Sequence, residues 1–464
     1  MKTALTVFTL SLLLLIACRK DSFITSPDAS VSITADTLHY DTVFTSVGSV
    51  TQTFRIINEN NQKLRLSSVR LMGGTASNFM INVNGEPTAS AGNIEIEAND
   101  SIHVFVKVTV DPSSENLPFI IRDSIEIVYN GKTRWVQLEA WGQNAHFFRN
   151  RLITSDETWT NDLPYVIQGF LYVDAGQTLT IEKGSKIYMH ADAPMIVDGS
   201  LKVNGEKDTA DRVYFMGDRL DIPYRDYPAS WPGIYFREGS RDNVLNYAVI
   251  KNAYQSIAVE NPSINSNPKL VLNECIIDNS YDAGIIALNS SIKARNCLIS
   301  NCGKNIVIGR GGDYEFEHCT VVSYSNLFIQ HKDPVLTLSN SDGTATAPLK
   351  ALFRNCIFWG DDGSADNKIV ENEVLVKSDA GDQVVFDHNL WRVTSPPSNI
   401  TANGNINQPP MFDSIDVSKR IFDFRFNKNA SPALDAGTAS PVNIDLDGNP
   451  RPVGVPDLGC FEKQ

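Results

Sequence analysis

The 464-residue chain lacks a basic excess: 40 lysines and arginines stand against 54 aspartates and glutamates, a net charge of −14. A nucleic-acid binder needs a basic face, so that class is excluded. The acids are spread thinly and form no runs. Long apolar runs are missing too. The stretch from Leu10 to Ile16 is too short for a membrane span, which takes about 20 residues. Most of the seven histidines stand alone, so neither a zinc site nor a Ser-His-Asp set is visible. No cysteine lies between residues 31 and 146, and whatever folds there is held by its apolar core alone.

What the chain does have is a phrase that returns. Asn273-Glu-Cys275-Ile-Ile, Arg295-Asn-Cys297-Leu-Ile, Glu317-His-Cys319-Thr-Val and Arg354-Asn-Cys356-Ile-Phe share one pattern, and the first three cysteines are 22 residues apart. Asn246-Tyr-Ala248-Val-Ile fits one turn earlier and Asp387-His-Asn389-Leu-Trp one turn later. A period of 20–25 residues, with one small residue per turn flanked by aliphatics, predicts a parallel β-helix in which equivalent side chains stack. The longer gaps before Cys275, Cys356 and Asn389 predict loops that leave the coil. Cysteines stacked on in-register strands have parallel Cβ vectors, which disfavours a disulfide torsion, so Cys275, Cys297, Cys319 and Cys356 are expected as a buried ladder of thiols. Cys302 and Cys460 fall outside it.

Residues 1–17 read as a signal peptide, with Lys2, the apolar stretch and then Leu15-Ile16-Ala17-Cys18. The last four residues resemble a bacterial lipobox. That resemblance implies that Cys18 is acylated and becomes the mature N-terminus, with residues 18–30 as a lipid-anchored tether. Each buried methylene would contribute about 0.8 kcal/mol to anchoring. Arg19, Lys20 and Asp21 follow. In Bacteroidetes-type bacteria, acidic residues behind the lipidated cysteine go with surface export; one acid here leaves the cell surface and the periplasmic face of the outer membrane both open.

From residue 31 to 146 short alternating runs such as Ile102-His-Val104-Phe-Val106-Lys-Val108 and Ser124-Ile125-Glu-Ile127 predict strands with one buried face. Their density suits an immunoglobulin-like sandwich. The segments Asp41 to Gly48, Phe54 to Asn58 and Leu64 to Leu66 resemble bacterial cell-envelope sandwich domains, which implies a spacer or docking role.

From Leu152 onward, Thr158-Trp159, Leu179 to Gly184, Gly199 to Gly205 and Trp231-Pro-Gly233 resemble the opening turns of right-handed β-helix proteins of the pectin-lyase-like class. Glycines there are expected at corners that need positive φ. Ser431 to Gly437, Asp445 to Pro452 and Asp457-Leu-Gly459 resemble the terminal segment of bacterial β-helix proteins. Residues 405–464 are therefore expected to cap the helix of 150–464 by covering its open strand edge.

Candidate chemistry is sparse. Asp445-Leu-Asp447-Gly448 departs from an EF-hand loop, with glycine at position four and Pro456 at twelve. Asp361-Asp362 resembles the paired aspartates of β-helix polygalacturonases, without that family's Gly-His-Gly and Arg-x-Lys motifs. Arg310, His331 and Lys332 are the bases an elimination could use, with no acidic cluster beside any of them in the spacing. Pro223-Tyr224-Arg-Asp-Tyr227-Pro-Ala-Ser-Trp231 places three aromatics in a loop, where sugar rings can stack. The expected protein is an all-β lipoprotein: a sandwich followed by a right-handed parallel β-helix. It binds a polysaccharide or an envelope protein without catalysis, and its glycan contacts are Tyr224, Tyr227, Trp231, Asp361 and Asp362. No catalytic residue, metal or cofactor is assigned. The alternatives are a polysaccharide lyase or hydrolase, and a structural or adhesive surface protein.

Overall fold

The computed structural model describes residues 22–44, 49–110, 119–362, 370–426 and 430–464. It divides into two units, Met1–Asn144 and Ala145–Gln464. Cys18 and the expected signal peptide of residues 1–17 lie outside the described residues.

In the first unit the alternation does what period two requires. Along Ser101–Val108, Ile102, Val104, Val106 and Val108 point inward and their neighbours outward. Two five-stranded sheets share one core built from residues such as Phe54, Leu66, Val104 and Val136. Pairing between the strands of the two sheets is antiparallel except where Lys132–Gln143 runs parallel to Thr37–Phe44. Residues 22–30, part of the expected tether, pack on this unit: Phe23 bridges Lys63, the Ile24 N–H donates to the Lys63 carbonyl (2.8 Å), and Ala29 is buried.

The second unit is a parallel β-helix, a hydrogen-bonded run of 25 strands. Each coil contributes in turn to three ladders, here called sheets A, B and C. Gln255–Glu260 lies in sheet A, Leu270–Asn273 in B and Ile276–Asp278 in C. In the next coil the strand Ala283–Arg295 serves both A and B, with a register shift between Leu288 and Ser290.

The recurring phrase is the corner between B and C. Its middle residue, Tyr247, Glu274, Asn296, His318, Asn355 or His388, sits in the left-handed region at φ 46–55° and turns the chain in a single step. The first residue faces out and bonds between coils. Asn273 donates to Asn246 (2.8 Å), and Arg354 bridges Glu317 (3.2 Å) and Asp387 (3.1 Å). The third residue faces in. All six described cysteines are buried and free. The four ladder thiols also donate to the carbonyl two residues back, at 3.3–3.4 Å. A cysteine thus supplies both the small volume and the weak donor that the corner needs.

Of the glycines expected at corners, Gly233 has a positive φ of 130°. Gly199 does not; it is needed because a Cβ would lie 2.2 Å from the Gln177 carbonyl of the coil before.

Sheet C is apolar on both faces, which explains why the phrase ends in unbroken aliphatic runs. Inside lie Ile277, Ile299 and Phe358; outside lie Leu298, Ile357 and Leu390. The C-terminal segment covers that outer face with Phe412, Phe424, Leu446, Leu458 and Phe461. The segment expected to cap the open strand edge thus runs back along a flank. Arg212 donates to the Leu446 carbonyl (3.2 Å), Asn355 exchanges two 2.8 Å bonds with Thr438, and the Cys460 N–H donates to Thr320 (3.0 Å). Asp445 organises the turn of this strap by accepting the N–H groups of Asp447, Asn449 and Glu462 (2.8–3.1 Å).

Candidate functional site

The corner from C to A repeats a second left-handed position at Asn252, Asn279 and Asn301. The first two hold a neighbouring loop. Asn252 donates to the Arg225 carbonyl (2.7 Å) and Asn279 to that of Asp226 (3.1 Å). Two residues beyond these asparagines, Tyr254 and Tyr281 stack one coil apart, centroids 5.9 Å, and are 45% and 54% exposed.

Aromatic surface continues from there. Tyr281 and Phe328 line one open cavity of about 330 Å³, together with Asp282, Lys304, Lys332 and Asp333. Phe328 packs edge-on against Tyr227 (4.9 Å), and Tyr227 against Tyr224 (5.2 Å). Cations brace the rings: Arg219 lies 4.0 Å over Tyr224 and Arg420 4.9 Å over Phe328, while Arg420 also pairs with Asp226 (3.3 Å). Leu327 beside them is 86% exposed. The outer column of sheet A adjoins this corner and is itself apolar, through Tyr235, Ala258, Ile286 and Val307.

The loop that carries Leu327 and Phe328 is stapled from within. The Ser325 N–H donates to Asp361 (2.6 Å), and the ring of His331 lies between Asp361 and Glu373, at 3.1 Å from each carboxylate. His331 is 1% exposed and Glu373 is fully buried. Burial alone would lower the His331 pKa, but hydrogen bonds and charge from the two carboxylates outweigh it and lift it to about 9. Burial raises the Glu373 pKa, against the pull of His331. Gly360 is obligatory beneath them, since a Cβ there would lie 2.2 Å from the imidazole.

These positions sort the residues singled out from sequence. Tyr224 and Tyr227 lie on the aromatic surface. Trp231 does not, and its assignment as a glycan contact is corrected. It is 1% exposed, its ring fills the coil interior and its Nε1–H donates to the Lys251 carbonyl (2.9 Å). Asp361 belongs to the staple, and Asp362, 76% exposed, pairs with Arg392 (2.5 Å). The two aspartates therefore do not converge on an open groove. Arg310 pairs with Asp342 (3.6 Å), and His331 is too buried to meet a polymer. Among the described residues no group of three histidine, cysteine, aspartate or glutamate side chains is placed to hold a metal.

Tyr254, Tyr281 and Phe328 were missed. The first two were legible: each lies six residues after the phrase's third position, Ala248 and Cys275. Phe328 had no such signal, because its loop lies outside the repeat.

The fold and this surface define the class of the molecule, a parallel β-helix with an exposed aromatic corner, preceded by paired antiparallel sheets. No family model and no curated protein matches the chain. Solved structures match parts of it. A family 123 glycoside hydrolase from Clostridium perfringens is similar at 11% identity over 28% of this chain and 30% of its own, TM-score 0.19. The PapD-like domain of human CEP192 is similar at 12% over 26% of this chain and 92% of that one, TM-score 0.19. The periplasmic chaperone SfaE is similar at 8% over 29% and 67%, TM-score 0.18. The chain thus spans under a third of the hydrolase, and at such TM-scores these likenesses say nothing of what it does. No helix among the described residues is long and apolar enough to cross a membrane.

Proposed function

We propose that this chain is a cell-envelope lipoprotein, anchored in the outer membrane through acylated Cys18, that binds glycan along one side of its β-helix and carries out no reaction on it. The immunoglobulin-like sandwich serves as the spacer. One observation carries the reading: Tyr254, Tyr281, Phe328, Tyr227 and Tyr224 form a linked, partly exposed aromatic surface around a cavity with both carboxylates and ammonium groups. Aromatic faces take the apolar faces of sugar rings, and the charged groups bond hydroxyls. Support for the absence of turnover is that the carboxylates Asp361 and Glu373 are engaged by a buried histidine.

The test is electrophoresis of the full-length chain in native gels cast with acidic and neutral polysaccharides. Retardation by at least one glycan is expected, with at least a tenfold loss of affinity in Tyr254→Ala/Tyr281→Ala. Release of oligosaccharide ends from the retarding glycan would refute the non-catalytic reading. Cys18→Ala should leave the membrane fraction of the producing cell; its retention there would refute the anchor.

A further inference from the structure

Sheet B carries a second opening, built from other residues than the tyrosine corner. It is an open groove of about 520 Å³ over the second half of Ala283–Arg295 and the coils that follow. Ligand pockets typically span about 300–1,000 Å³.

Its floor consists of charges in register. Asp313 faces Lys350 on the next coil and pairs with it at 3.0 Å, and Lys293 faces Glu315 and pairs at 2.9 Å. Its wall is the loop 262–268, fixed by side-chain bonds. Asp242 accepts the amides of Asn265 (3.0 Å) and Asn267 (2.7 Å), bonds that hold its carboxyl below the usual range. Asn265 in turn accepts the Ser263 hydroxyl (2.9 Å) and the Asn267 N–H (3.0 Å). A wall set before the ligand arrives loses little entropy on binding.

We infer that this groove is a separate saccharide site, selective for an uncharged sugar unit. Two ammonium groups and two carboxylates cancel across the floor. A sugar hydroxyl both donates and accepts, so it can bond either member of each pair. A uronate or an amino sugar gains no net attraction from a floor whose charges cancel, and to bond its opposite charge it must compete with a partner already paired at 2.9–3.0 Å. Pro262, Pro268 and Pro348 supply apolar edges for the C–H faces of the ring.

Calorimetric titration of the full-length chain in detergent tests this, using neutral oligosaccharides of glucose, mannose, galactose and xylose beside oligogalacturonate and chitosan oligomers. At least one neutral oligosaccharide should bind, and the charged oligomers at least tenfold more weakly. Ser266→Trp, which fills the groove from its exposed rim, and Asp313→Ala/Lys350→Ala, which strips surface charges without touching the core, should each weaken binding at least tenfold. Tyr254→Ala/Tyr281→Ala should leave it unchanged, which separates this site from the aromatic corner. The inference is overturned if no neutral oligosaccharide binds, if a charged one binds better, or if binding survives both groove substitutions.

Discussion

At the scale of single residues, His331 shows how a buried titratable group can serve position and not reaction. It faces Asp361 and Glu373, and Arg392 approaches the same cluster by donating to the carbonyls of Gly360 (3.3 Å) and Asp361 (3.2 Å). The His331 pKa is raised in the folded state, so its stabilisation is fully present below the unfolded value of 6.5 and is lost as pH rises through about 9. The raised Glu373 pKa acts in the same sense from a lower window, lost as pH climbs past the ordinary carboxylate range. Thermal unfolding followed from pH 6 to 10 should therefore show a fall in stability of up to about 3 kcal/mol that His331→Gln removes. An unchanged pH profile in that variant would mean that His331 is not the group titrating.

At the scale of elements, the one-residue corner between sheets B and C sets the coil. Asn355 holds a left-handed φ of 55° and joins the strap through both its amide oxygen and nitrogen. Alanine would lose those bonds and meet the left-handed penalty of about 1–2 kcal/mol, in addition to about 1 kcal/mol for each hydrogen bond. Asn355→Ala is thus expected to destabilise by about 3 kcal/mol in denaturant titrations. Asn355→Gly, which keeps the backbone conformation, should be destabilised less. Equal midpoints for the two variants would show that backbone conformation contributes nothing at this corner.

At the scale of the whole molecule, the β-helix has three faces with three fates. Sheet C is covered by the strap, sheet A is apolar beside the tyrosine corner, and sheet B carries charge in register. The strap is locked by Arg451, fully buried, which pairs with Glu462 (2.9 Å) and donates to Asn296 (2.8 Å) and to the carbonyls of Gly459 (2.9 Å) and Phe461 (2.6 Å). Removing one partner of a buried pair costs about 3–5 kcal/mol, because the other charge is left unpaired. Arg451→Ala should lower stability by that amount, and Arg451→Met/Glu462→Leu by less. If the double variant proved worse than the single one, the strap would depend on the ion pair itself.

The recurrence of one phrase was enough to specify the coil from sequence, because stacked equivalent positions must repeat whatever suits a single environment. It showed the inward cysteines, while period-two alternation showed the sandwich strands and the prolines around Tyr224 and Tyr227 showed the loop that presents them. It also held, unread, the matching offsets of Tyr254 and Tyr281. Tertiary structure alone decided what depended on distance across the repeat. Trp231 turned inward, the C-terminal segment lay along a flank, and Ser325, His331, Asp361 and Glu373 met across 48 residues. The physical reason is that a local repeat fixes each residue's direction within its own coil. Which loops meet, and which outer face must be covered, follows only when the coils are stacked.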